Sequence, residues 1–205
     1  MNWKRRRRLS CLLLAALLFT GCGEGRRLEP LPPDAKILAF GDSLTVGVGA
    51  KPAQSYPSIL AELSGLEVVN GGVSGETTEG GLVRLRDTLP QVQPDLLLLL
   101  EGGNDILRSI QPDRTHRNLE AMVELALEEG VQVVLIGVPN KLLFSDSANF
   151  YAEIAERHGL VFDGDTLADL LRDGALKSDA IHLNAAGYRE LARATYELLV
   201  NHGAL

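Results

Sequence analysis

Apolar and polar positions along the chain alternate between two periods, which predict strands and helices in turn. Short and nearly uninterrupted apolar runs, such as the five consecutive leucines within residues 95–100, predict strands that are buried on both faces. Apolar residues at helical spacing between these runs predict amphipathic helices. The predicted strands are residues 37–40, 67–70, 95–100, 131–138 and 160–163, and the predicted helices are residues 56–63, 77–89, 114–129, 148–158 and 184–201.

Residues at the ends of several predicted helices are suited to begin or stop them. Ser55 is placed to cap the helix of residues 56–63, and Gly65 is placed to end it. Pro90 is expected to end the next helix, and Asn184 to cap the last one. Because strands alternate with helices, we predict one α/β domain of three layers, with a five-stranded parallel sheet between two layers of helices.

The beginning of the chain follows a different pattern. A basic head, residues 4–8, precedes an apolar run over residues 9–19. That run is shorter than the roughly 20 apolar residues that span a bilayer, and the layout is typical of a secretory signal. A short membrane anchor that is never removed is the alternative. The four consecutive arginines also leave the twin-arginine export route open.

The motif Phe-Thr-Gly-Cys that ends at Cys22 resembles a bacterial lipoprotein signal, although Phe19 stands where that motif usually has Leu. The resemblance implies that Cys22 is lipidated and becomes the first mature residue. We therefore expect residues 1–21 to be a lipoprotein signal peptide, residues 22–35 a tether and residues 36–205 the domain. The protein is expected to be exported to the periplasm or cell envelope and held at a membrane by its lipid.

Charge is distributed unevenly along the chain. The net charge is −7, and without the five positive charges of residues 4–8 it becomes −12. So acidic a body repels phosphates, and we expect no nucleic-acid partner. It also gains no electrostatic attraction to an anionic membrane surface. We expect the domain to act as a monomer on a small molecule.

Polar blocks follow the predicted strands and precede the last helix. These blocks are Gly-Asp-Ser-Leu from Gly41, Asn-Gly-Gly-Val-Ser-Gly-Glu-Thr-Thr from Asn70, Glu-Gly-Gly-Asn-Asp-Ile from Glu101 and Ser-Asp-Ala-Ile-His-Leu-Asn from Ser178. Because the carboxyl ends of parallel strands meet at one edge of a sheet, all four blocks are expected to face the same rim. They bring to it a hydroxyl, a glycine-rich turn, an amide and an Asp/His pair.

These groups fit nucleophilic catalysis of acyl transfer. Ser43 needs a base to take its proton, and His182 is the candidate, with Asp179 three residues before it to orient the imidazole. The amides of Ser43 and Gly75 and the side chain of Asn104 are candidate donors to the oxyanion. Each residue alone has an ordinary explanation as a cap, a turn or a surface residue, so the hypothesis depends on their joint arrangement.

The four blocks resemble those of the SGNH (GDSL-type) hydrolase family, which is named for its Ser, Gly, Asn and His. The resemblance implies that Ser43 is the nucleophile, that Asp179 and His182 complete a catalytic triad, and that Ser43, Gly75 and Asn104 form an oxyanion hole. It also implies the flavodoxin-like, three-layer α/β/α fold of that family and a serine esterase activity. No cofactor and no metal are implied.

The resemblance covers roughly residues 36–199, and the stretch from Gly102 to Pro112 is most similar to the bacterial thioesterase, lysophospholipase and arylesterase branch. Leu183 departs from that branch, which usually has Pro after the histidine. Within the family, Asp42 tends to support the nucleophile loop, and we expect Asp105 to order the turn that aims Asn104.

Apolar residues in two loops are the candidate acyl-binding residues. The candidates are Leu107, Ile110, Leu142, Leu143 and Phe144. They suit a lipid or aryl ester, although packing of the loops explains them equally well.

Three functions therefore fit the sequence. The first is a serine esterase acting on carboxylic esters or thioesters, of the arylesterase, acyl thioesterase or lysophospholipase type. The second is an O-acetylesterase acting on cell-wall or other glycans. The third is a non-catalytic, ligand-binding lipoprotein.

Overall fold

A parallel five-stranded sheet forms the centre of the protein. In the computed structural model, residues 26–140 and 147–205 are described. The strands are β1 (Lys36–Gly41), β2 (Glu67–Gly72), β3 (Leu96–Leu100), β4 (Gln132–Ile136) and β5 (Val161–Asp163). They lie in the order β2-β1-β3-β4-β5, and every neighbouring pair is parallel. The predicted five-stranded parallel sheet is confirmed, and the order is that of a flavodoxin-like fold.

Helices connect the strands and cover the sheet. They are α1 (Ser43–Val46), α2 (Tyr56–Ser64), α3 (Thr78–Val92), α4 (Gly103–Leu107), α5 (Pro112–Glu128), α6 (Asn149–His158), α7 (Thr166–Arg172) and α8 (Ala185–Asn201). In one layer α2 packs on α8, and in the other α3 packs on α5. Ser55 and Asn184 cap their helices through side-chain oxygens, and Gly65 ends α2 with a φ of 71°, as predicted.

The prediction that Pro90 ends the third helix is wrong. The helix α3 continues to Val92 and ends at Gln93, which has a φ of 51°. Pro90 lies in the last turn, where its missing N–H costs only one helical hydrogen bond. The amide of Gln93 still donates to the carbonyl of Leu89 at 2.8 Å, and this bond closes the turn. The short helices α1, α4 and α7 were not predicted, because they carry too few residues to show a periodic pattern.

The core lies on both faces of the central strands. All five leucines of β3 are fully buried, as expected for a strand covered by helices on both sides. The side chains of Tyr56, Tyr151 and Tyr188, one from each of three helices, are buried with them. This packing fixes the carboxyl ends of β1 and β3, which carry the polar blocks.

Residues 26–35, the described part of the predicted tether, lie against the domain and cross the amino ends of the strands. The predicted signal peptide, Cys22 and the candidates Leu142, Leu143 and Phe144 lie outside the described residues. Across the residues that are described, we find no helix with the length and apolar character required to cross a membrane.

Candidate active site

Ser43 is the first residue of α1, directly after the carboxyl end of β1. Asp42 caps this helix, because its Oδ1 accepts the amide of Leu44 at 3.0 Å. A Cβ at Gly41 would stand 1.8 Å from the carbonyl oxygen of Leu100, so only glycine lets β1 run this close to β3. The Gly-Asp-Ser sequence thus brings the strand to the rim and turns the serine hydroxyl out of the core.

His182 connects Ser43 to Asp179 through a continuous pair of hydrogen bonds. Its Nε2 lies 3.0 Å from Oγ of Ser43, and its Nδ1 lies 2.7 Å from Oδ2 of Asp179. The other carboxylate oxygen of Asp179 accepts the amides of Ile181 and His182, both at 2.8 Å. These bonds shape the loop and fix the imidazole between the hydroxyl and the carboxylate.

The environment of Asp179 favours its charged form. Burial alone raises the pKa of this carboxyl, but the hydrogen bonds from the His182 side chain and from the amides of Ile181 and His182 outweigh it and hold the pKa below its ordinary value. An ionised Asp179 at 2.7 Å keeps a proton on Nδ1 of His182 and leaves Nε2 free to accept one from Ser43.

Asn104 lies beside the same site, in the short helix α4 after β3. Its Nδ2 donates to Oδ2 of Asp42 at 3.3 Å. The neighbouring Gly103 is required by space, because a Cβ there would stand 2.9 Å from Oδ2 of Asp42. The amide of Asn104 is therefore held near the loop that carries Ser43, and its role as an oxyanion donor stays a prediction.

Gly75 has a φ of 78°, a left-handed conformation that favours glycine. Its carbonyl oxygen accepts Nη2 of Arg108 at 2.9 Å, and this bond ties the loop after β2 to the end of α4. Sequence reasoning did not single out Arg108, because an arginine after a helix has no distinctive pattern. The role of Gly75 as an oxyanion donor stays a prediction.

An apolar cleft of about 220 Å³ adjoins the serine. Ser43 and Asn104 line it together with Leu107, Leu171 and Ile181. Leu107 was predicted to bind substrate, whereas Leu171 and Ile181 were missed, because they come from α7 and from the loop before His182. Both were visible in the sequence only as apolar residues without a periodic role.

The structure places the predicted substrate-binding residue Ile110 outside this cleft. It lines a neighbouring cavity of about 680 Å³ with Phe150 and His116, and Ile106 contributes to both cavities. The turn at Ser109, which has a φ of 56°, directs the chain away from the serine after α4.

Asp105 supports the loop that carries Asn104. Its carboxylate is buried and accepts the amide and hydroxyl of Thr78 at 2.8 and 2.6 Å, and the hydroxyl of Thr115 at 3.3 Å. These bonds join α4 to α3 and α5. Asp105 therefore acts on the structure of the loop, which is consistent with the predicted supporting role.

Acidic side chains also cluster beneath the site. Burial raises the pKa of Asp42 to about 6, although the amide of Leu44 and the charge of His182 act in the opposite direction. Glu76 forms an ion pair with Arg84, whose Nε donates to it at 2.9 Å. Arg84 therefore supplies a positive charge to this acidic cluster, through its ion pair with Glu76.

Glu101 is the least expected member of this cluster. The sequence predicted a supporting or solvated residue near the site, but its side chain is fully buried, and neither carboxylate oxygen has a hydrogen-bond partner within the described ranges. Burial, reinforced by the charges of Asp42 and Glu76, raises its pKa well above the ordinary value. Its carbonyl oxygen accepts the hydroxyl of Tyr151 at 2.7 Å.

A second polar group lies between α5 and α6. The ligand atoms of Glu120, Glu124 and His158 all lie within 4.8 Å of one another, a spacing that a metal site could use. The guanidinium of Arg157 already binds Glu120 at 2.5 Å, and His158 lies 3.3 Å from the same oxygen. We interpret the group as an interhelical ion pair. Sequence reasoning missed it because its members come from two helices.

A family model and several known proteins match this chain. Residues 39–190 match the model of the GDSL-like lipase/acylhydrolase family. Esterase TesA of Pseudomonas aeruginosa is 34% identical over 130 residues, which cover 61% of this chain and 65% of that protein. Thioesterase 1/protease 1/lysophospholipase L1 of Escherichia coli is 38% identical over 90 residues, or 43% of each chain. The matches thus span less than two thirds of the length of these relatives.

A solved structure supports the fold over a longer range. The crystal structure of TesA superposes with a TM-score of 0.73 at 25% identity, and the match covers 80% of this chain and 97% of that one. The sheet, the serine after β1 and the family match agree with one another. The chain belongs to the GDSL-like lipase/acylhydrolase family.

Proposed function

We propose that this chain is a serine esterase in which Ser43 is the nucleophile, His182 the general base and Asp179 the residue that orients the base. The observation that carries the proposal is the pair of contacts from His182, at 3.0 Å to Ser43 Oγ and 2.7 Å to Asp179 Oδ2. These lengths suit proton transfer from the hydroxyl to the imidazole without rearrangement.

The reaction proceeds by two acyl transfers. Oγ of Ser43 attacks the carbonyl carbon while its proton moves to Nε2 of His182, and the tetrahedral intermediate collapses when His182 returns that proton to the leaving alcohol or thiol. Water then attacks the acyl-enzyme, His182 again takes and returns a proton, and the carboxylic acid leaves. Asp179 stabilises the imidazolium in both halves.

The negative charge that develops on the carbonyl oxygen in the tetrahedral intermediate must be stabilised by hydrogen-bond donors in fixed positions. We assign this role to the backbone amides of Ser43 and Gly75 and to the side chain of Asn104. The hydrogen bond of Asn104 to Asp42 supports the assignment, because it holds the amide in place before substrate arrives. Asp42 and Asp105 are proposed to support the loops that carry Ser43 and Asn104.

The apolar cleft is the proposed site for the acyl chain. Leu107, Leu171 and Ile181 give it an apolar surface, and its volume of about 220 Å³ lies below that of the usual drug-sized pocket, which begins at roughly 300 Å³. Carboxylic esters and thioesters with an apolar acyl group are the proposed substrate class. The names of the two relatives, an esterase and a thioesterase and lysophospholipase, support the same class.

We also propose that the protein is exported, that its lipid is attached at Cys22 and that it works as a monomer in the periplasm or cell envelope. The lipoprotein-like motif carries the first two parts of this proposal. Incorporation of labelled palmitate into the wild-type protein, and its loss in Cys22→Ala, is the expected result. Labelling that survives Cys22→Ala would contradict it.

The activity is tested with p-nitrophenyl esters from acetyl to palmitoyl, using wild type and Ser43→Ala. We expect hydrolysis that depends on Ser43 and that is faster for butyryl or longer chains than for acetyl. A preference for acetyl alone would favour the O-acetylesterase. No hydrolysis of any ester, together with no reaction with a fluorophosphonate probe, would favour the non-catalytic ligand-binding protein.

A further inference from the structure

Gly75 lies in the loop after β2, and hydrogen bonds fix this loop at both of its ends. At the start of the loop the amide of Val73 donates to the last carbonyl of β1 at 2.9 Å. At its end the amide of Thr78 donates to the buried carboxylate of Asp105 at 2.8 Å. Between these two points the amide of Glu76 donates to the carbonyl of Val73 at 3.2 Å and closes a turn around Gly75.

Within this turn, the backbone of Gly75 is held from outside the loop by Arg108. Nη2 of Arg108 donates to the carbonyl oxygen of Gly75 at 2.9 Å, and no other described residue bonds to the carbonyl or the amide of this glycine. Glycine has no side chain to restrict its backbone, and its φ of 78° is open to few other residues. The orientation of Gly75 therefore depends on the bond from Arg108.

The N–H of Gly75 is available to a substrate. It has no acceptor in the part of the chain that the structure describes, so a bond to the carbonyl oxygen of an ester would displace no bond within the protein. Backbone N–H groups in fixed positions are the usual donors of an oxyanion hole. An N–H of this kind stabilises the oxyanion only if its direction is set before the reaction begins.

Arg108 directly follows α4, the short helix that also carries Asn104. The amide of Arg108 donates to the carbonyl of Asn104 at 3.0 Å, and the amide of Ile110 donates to the carbonyl of Asp105 at 2.9 Å. These bonds close the end of the helix and fix the backbone from which the arginine extends. One short element thus carries the amide side chain of Asn104 and, through Arg108, holds Gly75.

We infer that Arg108 is a positioning residue of the esterase, which aims the N–H of Gly75 at the substrate carbonyl oxygen and keeps it in register with the amide of Asn104. This inference rests on the proposed esterase activity and on the proposed role of Gly75 as an oxyanion donor. Arg108 acts through Gly75 and not on the ester. Its side chain is exposed, but its bond to the carbonyl is charge-assisted and therefore stronger than a neutral one.

The test separates the donor of Arg108 from the rest of its side chain. Arg108→Met keeps a long unbranched stem and removes every N–H, whereas Arg108→Lys keeps a positively charged donor on such a stem. Arg86→Met is the matched control, because Arg86 is an exposed arginine of α3 outside the site. Circular dichroism shows whether each variant is folded, and titration to completion with a fluorophosphonate gives the concentration of reactive serine.

We expect Arg108→Met to lower kcat on p-nitrophenyl butyrate by about 10- to 100-fold and to change KM by less than about threefold, because a displaced oxyanion donor is missed mainly in the transition state. Arg108→Lys should have a kcat at least about fivefold above that of Arg108→Met, since it restores a charged donor. Arg86→Met should keep the kcat of wild type.

A second measurement reports on the oxyanion hole itself. A trifluoromethyl ketone with a propyl chain adds to a nucleophilic serine, and the adduct carries a negative charge on oxygen like that of the transition state. Its inhibition constant should rise in Arg108→Met by about the same factor as kcat falls, and it should not change in Arg86→Met. A variant that merely contained less active protein would lose rate without any change in the inhibition constant.

Three results would overturn the inference. The first is a kcat of Arg108→Met within about twofold of wild type, or an unchanged inhibition constant of the ketone. The second is a loss that appears only in KM, because the guanidinium would then bind the substrate and not position Gly75. The third is an equal kcat in Arg108→Lys and Arg108→Met, since a donor at this position would then not be the feature that matters.

Failure of the proposed function gives a different result. In that case the wild type itself shows no ester hydrolysis that depends on Ser43, and the ketone inhibits none of the variants. Ser43→Ala is therefore measured alongside in both assays.

Discussion

Asn104 donates a hydrogen bond of 3.3 Å to Oδ2 of Asp42, while Oδ1 of the same carboxylate accepts the amide of Leu44 at 3.0 Å. Asp42 is almost fully buried. One carboxylate thus joins the loop that carries Ser43 to the loop that carries Asn104. The two groups that the proposed mechanism needs beside a substrate carbonyl are thus positioned by one buried carboxylate.

This link predicts that Asp42→Ala lowers kcat by about 10- to 100-fold, with a change of less than about threefold in KM. Binding of the substrate should change little, because the substitution removes the support that holds Ser43 and the amide of Asn104 in position for the reaction. Asp42→Asn keeps the acceptor for Leu44 and should recover part of kcat. Steady-state kinetics on p-nitrophenyl butyrate check the prediction, and an unchanged kcat in a folded Asp42→Ala protein would contradict it.

Asn104→Ala is expected to lower kcat by about 10² to 10³, because one of the proposed oxyanion donors is removed. Asn201→Ala is the matched control, since Asn201 is exposed at the end of α8 and should leave kcat unchanged. The two variants are compared in the same ester assay after circular dichroism shows that both are folded. A loss in Asn104→Ala that appears only in KM would assign the amide to ground-state binding instead.

Glu101 predicts an unusual dependence of stability on pH. Because burial raises its pKa, the folded protein binds this proton more tightly than the unfolded chain does. The contribution of Glu101 to stability is therefore greatest below the ordinary glutamate pKa, and it is lost as the pH rises through the pKa of Glu101 in the folded protein. Asp42 acts in the same direction, over a window from its ordinary value of 3.8 to about 6.

Glu101→Gln removes the ionisation but keeps the shape. Its Tm should exceed that of wild type by several degrees at pH 9, since about 1 kcal/mol corresponds to roughly 2–4 °C in a domain of this size. The difference should shrink at pH 5. Glu76→Gln is the control of opposite sign, because it removes the partner of Arg84 and should lower Tm. A Glu101→Gln protein that gains nothing as the pH rises would rule out a buried, protonated Glu101.

The cleft predicts a change of chain-length preference. Ile181→Ala should reduce kcat/KM for octanoyl esters by about tenfold and for acetyl esters by less than about threefold, because only the longer chain reaches its side chain. Leu127→Ala is a suitable control, since Leu127 is a partly exposed leucine of α5 that does not line the cleft. An equal loss on both esters would remove Ile181 from the acyl site.

Local patterns in the sequence were sufficient to predict most of the fold. The leucines of β3 form an apolar run that suits only a buried strand, and Ser55 and Asn184 mark helix starts by their own hydrogen bonds. Pro90 was misleading, because a proline in the last turn breaks one bond without stopping the helix. The sequence therefore predicts elements well where a single residue or a long run determines them.

The candidate site was likewise predictable only where a local pattern marks its residues. Ser43 and His182 were predicted to act together because each stands in a short polar block at a strand or helix end, and the structure places them 3.0 Å apart although 139 residues separate them. The burial of Glu101 was not predictable, because it depends on Gly81, Met122 and Phe40 meeting from three elements. A local sequence pattern cannot predict packing between residues from three separate elements.

The central claim is that Ser43 is the nucleophile, and covalent labelling tests it most directly. The protein is treated with a fluorophosphonate, and its intact mass and tryptic peptides are measured for wild type, Ser43→Ala and the control Ser64→Ala at the far end of α2. We expect one adduct, on Ser43, in wild type and Ser64→Ala, and none in Ser43→Ala, with loss of ester hydrolysis in proportion to labelling. An adduct on another residue, or full hydrolysis by Ser43→Ala, would contradict the mechanism.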